Sequence, residues 1–384
     1  MAIVPTQGKS SVCQAGEICM DKEECPEFTA FQNGRHKMTN VIRKVEALKL
    51  KRKICNKKPD RLCCLPNSCR GNKKSYPKTF LPMKDQCGVS CSGSKSVVKG
   101  EDAVLGEFPW AALVGSEKVL KSYDNRNKQW VRKSYTVYHC GGTLINTWFV
   151  LTAAHCQKSN TKIIEVVIGE WNVLTDPDCT QDDENCDNPK VQKQRVANVI
   201  IHSGYDRSKN INDIALVKMK KQVLLNRFVQ FACLPLPEYN LPNYFHNPEY
   251  YNATVVGWGK TSNDRNSDYE VEIKIRHGVQ SPKLQKGQVQ IHSISKCQEA
   301  FSRYPITVSN NICAGGYPGF TDSCKGDSGG GLFVDSGDYL GQSQGNVHVQ
   351  IGMVGYGAVR LCGDSPSVYT KVEHFIPWIR KNLV

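Results

Sequence analysis

A serine between glycines, in Gly326-Asp327-Ser328-Gly329-Gly330, is the strongest chemical signal in the chain. A serine hydroxyl becomes a good nucleophile when a base takes its proton and backbone N–H groups stabilise the oxyanion, and flanking glycines let those amides approach the reacting carbonyl. His155, in Thr152-Ala153-Ala154-His155-Cys156, is the candidate base, and Asp213, at the head of an apolar run, is the candidate carboxylate that orients it. His, Asp, Ser is one of the known chain orders of this constellation. The alternative is a structural glycine turn with an unrelated His and Asp.

Short strand-like segments must position these residues. Lys162–Ile168, Ala253–Gly257 and Val347–Val354 are short strand-like runs separated by turn-rich loops. Many short strands of this kind predict an all-β barrel or sandwich domain. The final segment, 374–383, predicts a terminal helix that packs Phe375, Trp378 and Ile379.

Charge and cysteine content narrow the class of protein. The 384 residues contain 50 Lys or Arg and 36 Asp or Glu, a formal net charge of +14. Residues 1–96 hold 19 basic and 8 acidic side chains, net +11, which leaves net +3 for residues 97–384. A nucleic-acid partner requires a compact basic face, so we expect none here. The 18 cysteines are spread along the chain, which predicts disulfides and a secreted, extracellular protein.

From the sequence we expect neither a membrane span nor a signal peptide in this chain. No apolar run approaches the ~18 residues that a spanning helix requires. The first residues, Met1-Ala2-Ile3-Val4-Pro5, lack the apolar core of a signal peptide. We therefore interpret the chain as mature or truncated.

Composition predicts three regions: 13–64, 65–96 and 97–384. The first is short, polar and rich in cysteine, so three disulfides would have to stabilise it. Within it, Met38–Leu50 has helical apolar spacing and a basic opposite face. The second, with several Pro, Gly, Ser and Lys residues, has the composition of a linker.

Residues 97–384 resemble a chymotrypsin-type serine protease domain through the motifs 106–110, 140–142, 257–259 and 366–370. The resemblance implies two six-stranded β-barrels with the triad in the cleft between them. His155 would act as general base and then acid, Asp213 would fix its tautomer, and the amides of Gly326 and Ser328 would form the oxyanion hole. Catalysis of this kind needs no cofactor.

The same resemblance implies a substrate specificity. Asp322, six residues before Ser328, would lie at the base of the specificity pocket and predicts cleavage after Arg or Lys. Internal neutralisation of this carboxylate is the alternative. The pocket wall reads Gly355-Tyr356-Gly357 where the family has Ser-Trp-Gly, so a hydroxyl that would bond Asp213 is missing. Ser367 stands where a second pocket glycine is usual, and we expect it to narrow the pocket.

Activation by cleavage is implied at Val97-Val98-Lys99-Gly100, where the family forms its new N-terminus. The freed ammonium group of Val97 would pair with Asp327, so the uncleaved chain would be a zymogen. The preceding residue is Ser96 rather than Arg or Lys. Either the upstream activating protease is not trypsin-like, or cleavage after Lys95 is followed by trimming.

The cysteines at 13, 19, 25, 55, 63 and 64 resemble a clip domain, the small disulfide-rich α+β regulatory module of arthropod blood proteases. This implies a haemolymph protease that acts on a protein precursor, such as prophenoloxidase or the ligand of a Toll-type receptor, and that a serpin-type inhibitor stops. Sequence alone permits fifteen pairings of six cysteines. Family pairing would give the following bonds: Cys13–Cys63, Cys19–Cys55, Cys25–Cys64, Cys87–Cys233, Cys140–Cys156, Cys297–Cys313 and Cys324–Cys362. Cys179–Cys186 would close a loop of its own, and Cys69–Cys91 follows by elimination.

Three further surface features carry predictions. The basic run Arg43–Lys58 suits an anionic surface or polyanion, and a solvated helix face is the alternative. The acidic loop with Glu170, Asp176 and Asp178 suits a structural calcium ion, although a disulfide-closed acidic loop needs no metal. Asn252-Ala253-Thr254 is a sequon for N-glycosylation.

The sequence therefore predicts a secreted serine endopeptidase zymogen of an innate-immune cascade. A catalytically weak or inactive homologue that serves as an adaptor is the alternative from another class, because of Gly355 and Ser367. A digestive trypsin fits poorly with the N-terminal module.

Overall fold

The computed structural model describes residues 18–21, 61–64, 75–83, 86–90, 100–124, 126–158, 161–180, 188–239, 251–259, 281–316, 326–335, 347–357 and 365–384. In the N-terminal region, strand β1 (Ile18–Asp21) pairs antiparallel with β2 (Arg61–Cys64). The helix predicted at Met38–Leu50 lies outside the described residues.

The first barrel is closed by six antiparallel strands in the order β4-β5-β6-β9-β8-β7. Their bounds are β4 Ala111–Asp124, β5 Gln129–Leu144, β6 Phe149–Thr152, β7 Ile163–Ile168, β8 Gln192–Ile201 and β9 Ala215–Met219. β6 is buried throughout, whereas β8 contains no buried residue and alternates between half-buried and exposed over its first six positions. Alternation of this kind is expected of a strand with one face towards the core.

The second barrel also closes with six strands. The sheet order is β10-β13-β14-β15-β12-β11, and β10 pairs again with β11, while the short β3 (Glu101–Asp102) extends β11 at one end. The bounds are β10 Asn252–Gly257, β11 Gln285–His292, β12 Asn311–Ala314, β13 Gly331–Asp335, β14 His348–Tyr356 and β15 Ser367–Lys371. The predicted all-β, two-barrel fold is confirmed.

The described residues include two short α-helices, α1 (Ile294–Ala300) and α2 (Ile376–Asn382). The predicted terminal helix is divided: Val372–Phe375 is a 3-10 turn, and α2 begins after it with Pro377 in its first turn, where proline is well tolerated. Phe375 and Ile379 are buried, and Trp378 packs against the core. No helix in the described ranges is long and apolar enough to cross a membrane.

The segment predicted as a linker packs on the catalytic region where it is described. Trp148 Nε1 donates to Tyr76 O (3.1 Å), and Asn146 Nδ2 donates to the carbonyls of Lys78 and Phe80, each at 2.9 Å. Cys87 is bonded to Cys233. The linker is thus held both by hydrogen bonds and by a covalent tether.

The structure joins three of the implied cysteine pairs: Cys87–Cys233, Cys140–Cys156 and Cys297–Cys313. Cys179 is also disulfide-bonded, and its implied partner Cys186 lies outside the described residues. The other implied pairs, Cys13–Cys63, Cys19–Cys55, Cys25–Cys64, Cys69–Cys91 and Cys324–Cys362, involve side chains that are not described.

Candidate active site

His155 and Asp213 meet because of the register between two paired strands. β6 ends at Thr152, which lies opposite Ala215, the first residue of β9. His155 follows Thr152 by three residues in a 3-10 turn, and Asp213 precedes Ala215 by two. Both residues therefore leave the first barrel at the same edge.

The carboxylate of Asp213 accepts two hydrogen bonds from His155. The backbone N–H donates to Oδ1 (2.8 Å), and Nδ1 lies 2.6 Å from Oδ2. The Asp213 side chain is 5% exposed and that of His155 is 26% exposed. A proton held on Nδ1 by this carboxylate leaves Nε2 available as a base.

Two residues that sequence reasoning did not select interact with Asp213. Thr370 Oγ1 donates to the backbone carbonyl of Asp213 (3.1 Å), which ties the first barrel to β15 of the second. The Tyr205 hydroxyl is buried, and burial together with the Asp213 carboxylate raises the pKa of Tyr205 to about 12. Thr370 belongs to the 366–370 motif, and this membership is the sequence signal that could have identified it.

Ser328 lies in the turn that leads into β13 of the second barrel. Its carbonyl accepts the N–H of Gly141 from the first barrel (2.8 Å), so β5 directly positions the serine backbone. Gly329 has φ +78°, and a Cβ there would lie 2.6 Å from Gly141 O. Only glycine satisfies both the left-handed backbone and this close approach.

The candidate base and nucleophile lie on neighbouring segments, since Cys156 Sγ is 3.8 Å from Ser328 O. Within the described ranges, Ser328 Oγ and His155 Nε2 do not form a hydrogen bond. Catalytic hydrogen bonds often tighten only when substrate binds. The disulfide Cys140–Cys156 fixes His155 beside β5, and so limits the distance that the two groups must close.

The backbone next to the predicted oxyanion hole is held by Asp327. Gly326 has φ +107°. Asp327 is 8% exposed, and its Oδ1 accepts the N–H of Gly259 (2.7 Å). A Cβ on Gly257 or Gly259 would overlap this carboxylate, so the two glycines of the 257–259 motif make its pocket.

Gly355, Gly357 and Ser367 belong to the predicted specificity pocket, and the structure describes all three. Ser367 is 3% exposed, and its Oγ lies only 2.4 Å from where a Cβ on Gly357 would stand. A Cβ on Gly355 would lie 2.8 Å from Val368 O, at a register shift between β14 and β15. Gly355 stands where the family has serine, and the approach of Val368 O leaves no room for a serine side chain at this position. Asp322, together with Ser96 and Val97 of the implied activation bond, lies outside the described residues.

The acidic loop contains one unsatisfied carboxylate oxygen. Glu170 Oε1 is buried without a hydrogen-bond partner among the described residues, and burial followed by the charge of Asp178 raises the pKa of Glu170 to about 8. Asp178 accepts the N–H groups of Trp171 (2.7 Å) and Asn172 (3.2 Å), and Asp176 accepts that of Val191 (3.1 Å).

These three carboxylates are not preassembled around one point. The only trio of metal-binding side chains within 4.8 Å in the described residues is Cys140, His155 and Cys156, and its two sulfurs form a disulfide.

Asn252 of the sequon is exposed at the start of β10.

Comparison with known proteins places this geometry in a family. Residues 97–379 match the trypsin family model. The silkworm Bombyx mori "CLIP domain-containing serine protease HP8" is 32% identical over 404 residues, covering 100% of this chain and 96% of the relative. The chain is a clip-domain serine protease.

Further relatives agree. "Phenoloxidase-activating factor 3" of Holotrichia diomphalia is 34% identical, over 82% of this chain and 79% of the relative. "Spaetzle-processing enzyme" of Drosophila melanogaster is 32% identical, over 84% and 77%. The crystal structure of the Drosophila Grass clip serine protease of the Toll pathway superposes with a TM-score of 0.58 at 26% identity, over 97% of this chain and 96% of that one.

Membership of this family makes the protein a trypsin-like serine endopeptidase, which requires no cofactor for catalysis. In this clip-domain protease, the histidine and aspartate come from one barrel and the serine from the other. The backbone bond between Gly141 and Ser328 and the bond from Thr370 to Asp213 join the two barrels at the site.

Proposed function

We propose that the protein is a secreted zymogen that, once activated, hydrolyses protein precursors after Arg or Lys. The observation that carries the proposal is the pairing of His155 with Asp213 at 2.6 Å, at the edge where Gly141 holds the Ser328 backbone. His155 Nε2 takes the Ser328 proton, and Oγ attacks the scissile carbonyl. The amides of Gly326 and Ser328 receive the oxyanion, and His155 then protonates the leaving amine.

Specificity for a basic side chain rests on Asp322, whose carboxylate needs a cationic partner in a buried pocket. Gly357 and Ser367 line that pocket, and the Ser367 hydroxymethyl group narrows it. We expect this narrowing to lower the efficiency of cleavage and to separate Arg from Lys, because the two side chains differ in width.

Cleavage between Ser96 and Val97 is the proposed activation step. The new ammonium group of Val97 would bond Asp327, which in the uncleaved chain accepts the Gly259 N–H. Because Asp327 immediately precedes Ser328, a change of its partner would reposition the oxyanion-hole amides. N-terminal sequencing of the activated heavy chain tests the bond, and a start other than Val97 would refute it.

The place in a cascade rests on the relatives. Their names describe an activator of phenoloxidase and a processor of Spaetzle, so we assign to this chain a protein precursor as substrate and an upstream activating protease. A serpin-type inhibitor and a haemolymph location follow from the clip-domain resemblance. Residues 13–64 form the clip domain, 65–96 the linker and 97–384 the protease domain. The basic run Arg43–Lys58 would bind an anionic surface or polyanion.

We also propose a structural calcium ion beside Glu170, with Asp176 and Asp178 as further oxygen ligands. The buried, unpartnered Oε1 of Glu170 supports it, and oxygen ligands are those that calcium prefers. A bound ion would neutralise the clustered carboxylates.

The decisive experiment compares activated wild type with Ser328→Ala on an acyl-Arg-p-nitroanilide reporter. We expect hydrolysis by the wild type and at least a 10³-fold loss in the variant. Absence of hydrolysis by a correctly cleaved wild type would favour the adaptor, whose support is the narrowed pocket at Ser367.

A further inference from the structure

The β4–β5 hairpin extends well beyond the first barrel. β4 pairs with β7 only as far as Ser116, whereas its pairing with β5 continues from Glu117↔Thr136 to Asp124↔Gln129. Eight residues of strand at ~3.3 Å each reach about 26 Å. Apart from the Glu117 N–H, which donates to Lys162 O (3.0 Å), the described backbone of 117–124 and 129–136 is paired only between these two strands. Residues 117–136 are named here the β4–β5 arm.

One face of the β4–β5 arm exposes apolar side chains. The strand register places Val119, Tyr123 and Trp130 on the same face, and they are 50%, 48% and 70% exposed. The ring centroids of Tyr123 and Trp130 lie 5.5 Å apart, with an angle of 65° between the ring planes. A preorganised aromatic pair of this size at the surface is the chemistry of a binding hot spot.

The same face carries two cations directly opposite each other. Lys121 pairs with Arg132 across the strands, both are exposed, and neither has a hydrogen-bond or ion-pair partner in the described ranges. Like charges in this position destabilise a hairpin, so an anionic partner would relieve the repulsion. On the other face, by contrast, Lys118 lies 5.8 Å from the Tyr135 ring of its own arm.

The arm also accounts for the charge of the catalytic region. Residues 97–384 contain 31 basic and 28 acidic side chains, and the arm holds six of the former and two of the latter. Without the arm the region would carry net −1 rather than +3. The positive charge is thus concentrated on one projecting element.

We propose that this face of the β4–β5 arm is a docking site for one segment of the protein substrate. That segment carries acidic side chains, which pair with the cations, together with aromatic or aliphatic side chains, which pack on the rings. β5 connects the two sites: it runs from Trp130 to Gly141, which bonds the Ser328 backbone. An extended peptide of roughly ten residues spans that distance, so the docking segment lies about ten residues from the cleaved bond. The aromatic pair favours a protein segment over a sulfated polysaccharide, whose binding needs cations alone. This inference rests on the proposed proteolytic function.

Binding is tested first, on the uncleaved full chain carrying Ser328→Ala, so that the result does not depend on catalysis. The probe is a fluorescein-labelled peptide of alternating Glu and Phe or Leu, read by anisotropy, with a Gln-substituted peptide and heparin as comparisons. We expect Lys121→Glu and Trp130→Ala each to weaken binding at least tenfold. Lys118→Glu, the same charge change on the opposite face, should change it less than twofold.

Folding is read in the same samples. Lys121→Glu creates an opposite-charge pair with Arg132, so its melting temperature should be equal to or above that of the parent chain. Equal losses of binding in Lys121→Glu and Lys118→Glu would reduce the effect to net charge and overturn the proposal. Binding of heparin without binding of the acidic peptide would also overturn it.

Catalysis is tested with activated enzyme and Arg-containing peptides that carry the acidic segment ten residues before or after the cleaved bond. One placement should raise kcat/KM at least tenfold over the Gln-substituted peptide, and Lys121→Glu should abolish this gain. The short Arg reporter should be cleaved equally by both enzymes. If the short reporter is not cleaved, the proposed function is refuted. If it is cleaved but neither placement of the acidic segment raises kcat/KM, the docking site is refuted.

Discussion

Replacing Glu170 by Gln should remove a large part of the pH dependence of stability of the catalytic domain. The folded carboxyl group has its pKa raised to about 8 from an ordinary 4.5, so the folded state keeps a proton that the unfolded chain releases. Stability therefore falls as pH rises from about 4.5 to about 8 and levels off above that range. Glu170→Gln has no such proton to lose.

The magnitude follows from the pKa difference. At 1.36 kcal/mol per pKa unit, the raised pKa of Glu170 corresponds to at most about 5 kcal/mol. The Glu170 side chain is half-buried, and solvent screening reduces this limit to about 2 kcal/mol. That loss corresponds to a fall in melting temperature of roughly 4–8 °C between pH 5 and pH 9.

The assay is thermal unfolding at pH 5, 7 and 9 in EDTA, with wild type and Glu170→Gln measured together. Taking the difference at each pH cancels the titration of other groups, such as buried His348, whose pKa burial lowers to about 4. Glu299→Gln, on the exposed side of α1, controls for the loss of one carboxylate. A difference that is constant from pH 5 to pH 9 would refute the reasoning.

Calcium supplies a second arm of the same experiment. At pH 9, where Glu170 is ionised, added Ca²⁺ should raise the melting temperature of the wild type and leave Glu170→Gln unchanged. If EDTA and Ca²⁺ give the same curve for the wild type, no structural calcium site exists, while the proton linkage is judged separately by the pH series.

Three further substitutions have defined outcomes. Ser367→Gly should raise kcat/KM on Arg and Lys reporters about tenfold by widening the pocket, and equal or lower activity would contradict this. Asp213→Asn should lower kcat about 10⁴-fold at neutral pH, because His155 would lose its favoured tautomer. The matched control is Asp206→Asn on a surface loop, which should leave kcat unchanged. Lys286→Met should lower the free energy of unfolding by about 3–5 kcal/mol and the melting temperature by roughly 10 °C. The reason is that the buried Glu107 carboxylate, 2.8 Å from Lys286 Nζ, would lose its cationic partner. The double variant with Glu107→Gln should recover most of this loss, and no recovery would mean that packing rather than charge is responsible.

The all-β class was predictable because its determinants are local and repeated, whereas the two-barrel arrangement was implied by the family resemblance. The strand-like runs at Lys162–Ile168 and Ala253–Gly257 correspond to β7 and β10 within one residue. The terminal segment was less predictable, because the 3-10 turn before α2 depends on where Pro377 fits against the core.

Other features depended on contacts between residues that are distant in sequence. The linker composition around Tyr76 gave no sign that Trp148 would donate a hydrogen bond to the Tyr76 carbonyl. Similarly, the absence of a side chain at Gly355 appeared as a defect, and only the approach of Val368 O explains it.

The sequence by itself determined the chemical groups, the family and the division of charge, because residue types, motif order and composition are properties of the chain. Only the tertiary structure decided which groups meet. The register Thr152↔Ala215 brings His155 to Asp213, and Thr370 joins the barrels behind that pair. The β4–β5 arm emerged in the same way: its cations and aromatic rings are scattered over twenty residues, and antiparallel pairing alone places them on one exposed face.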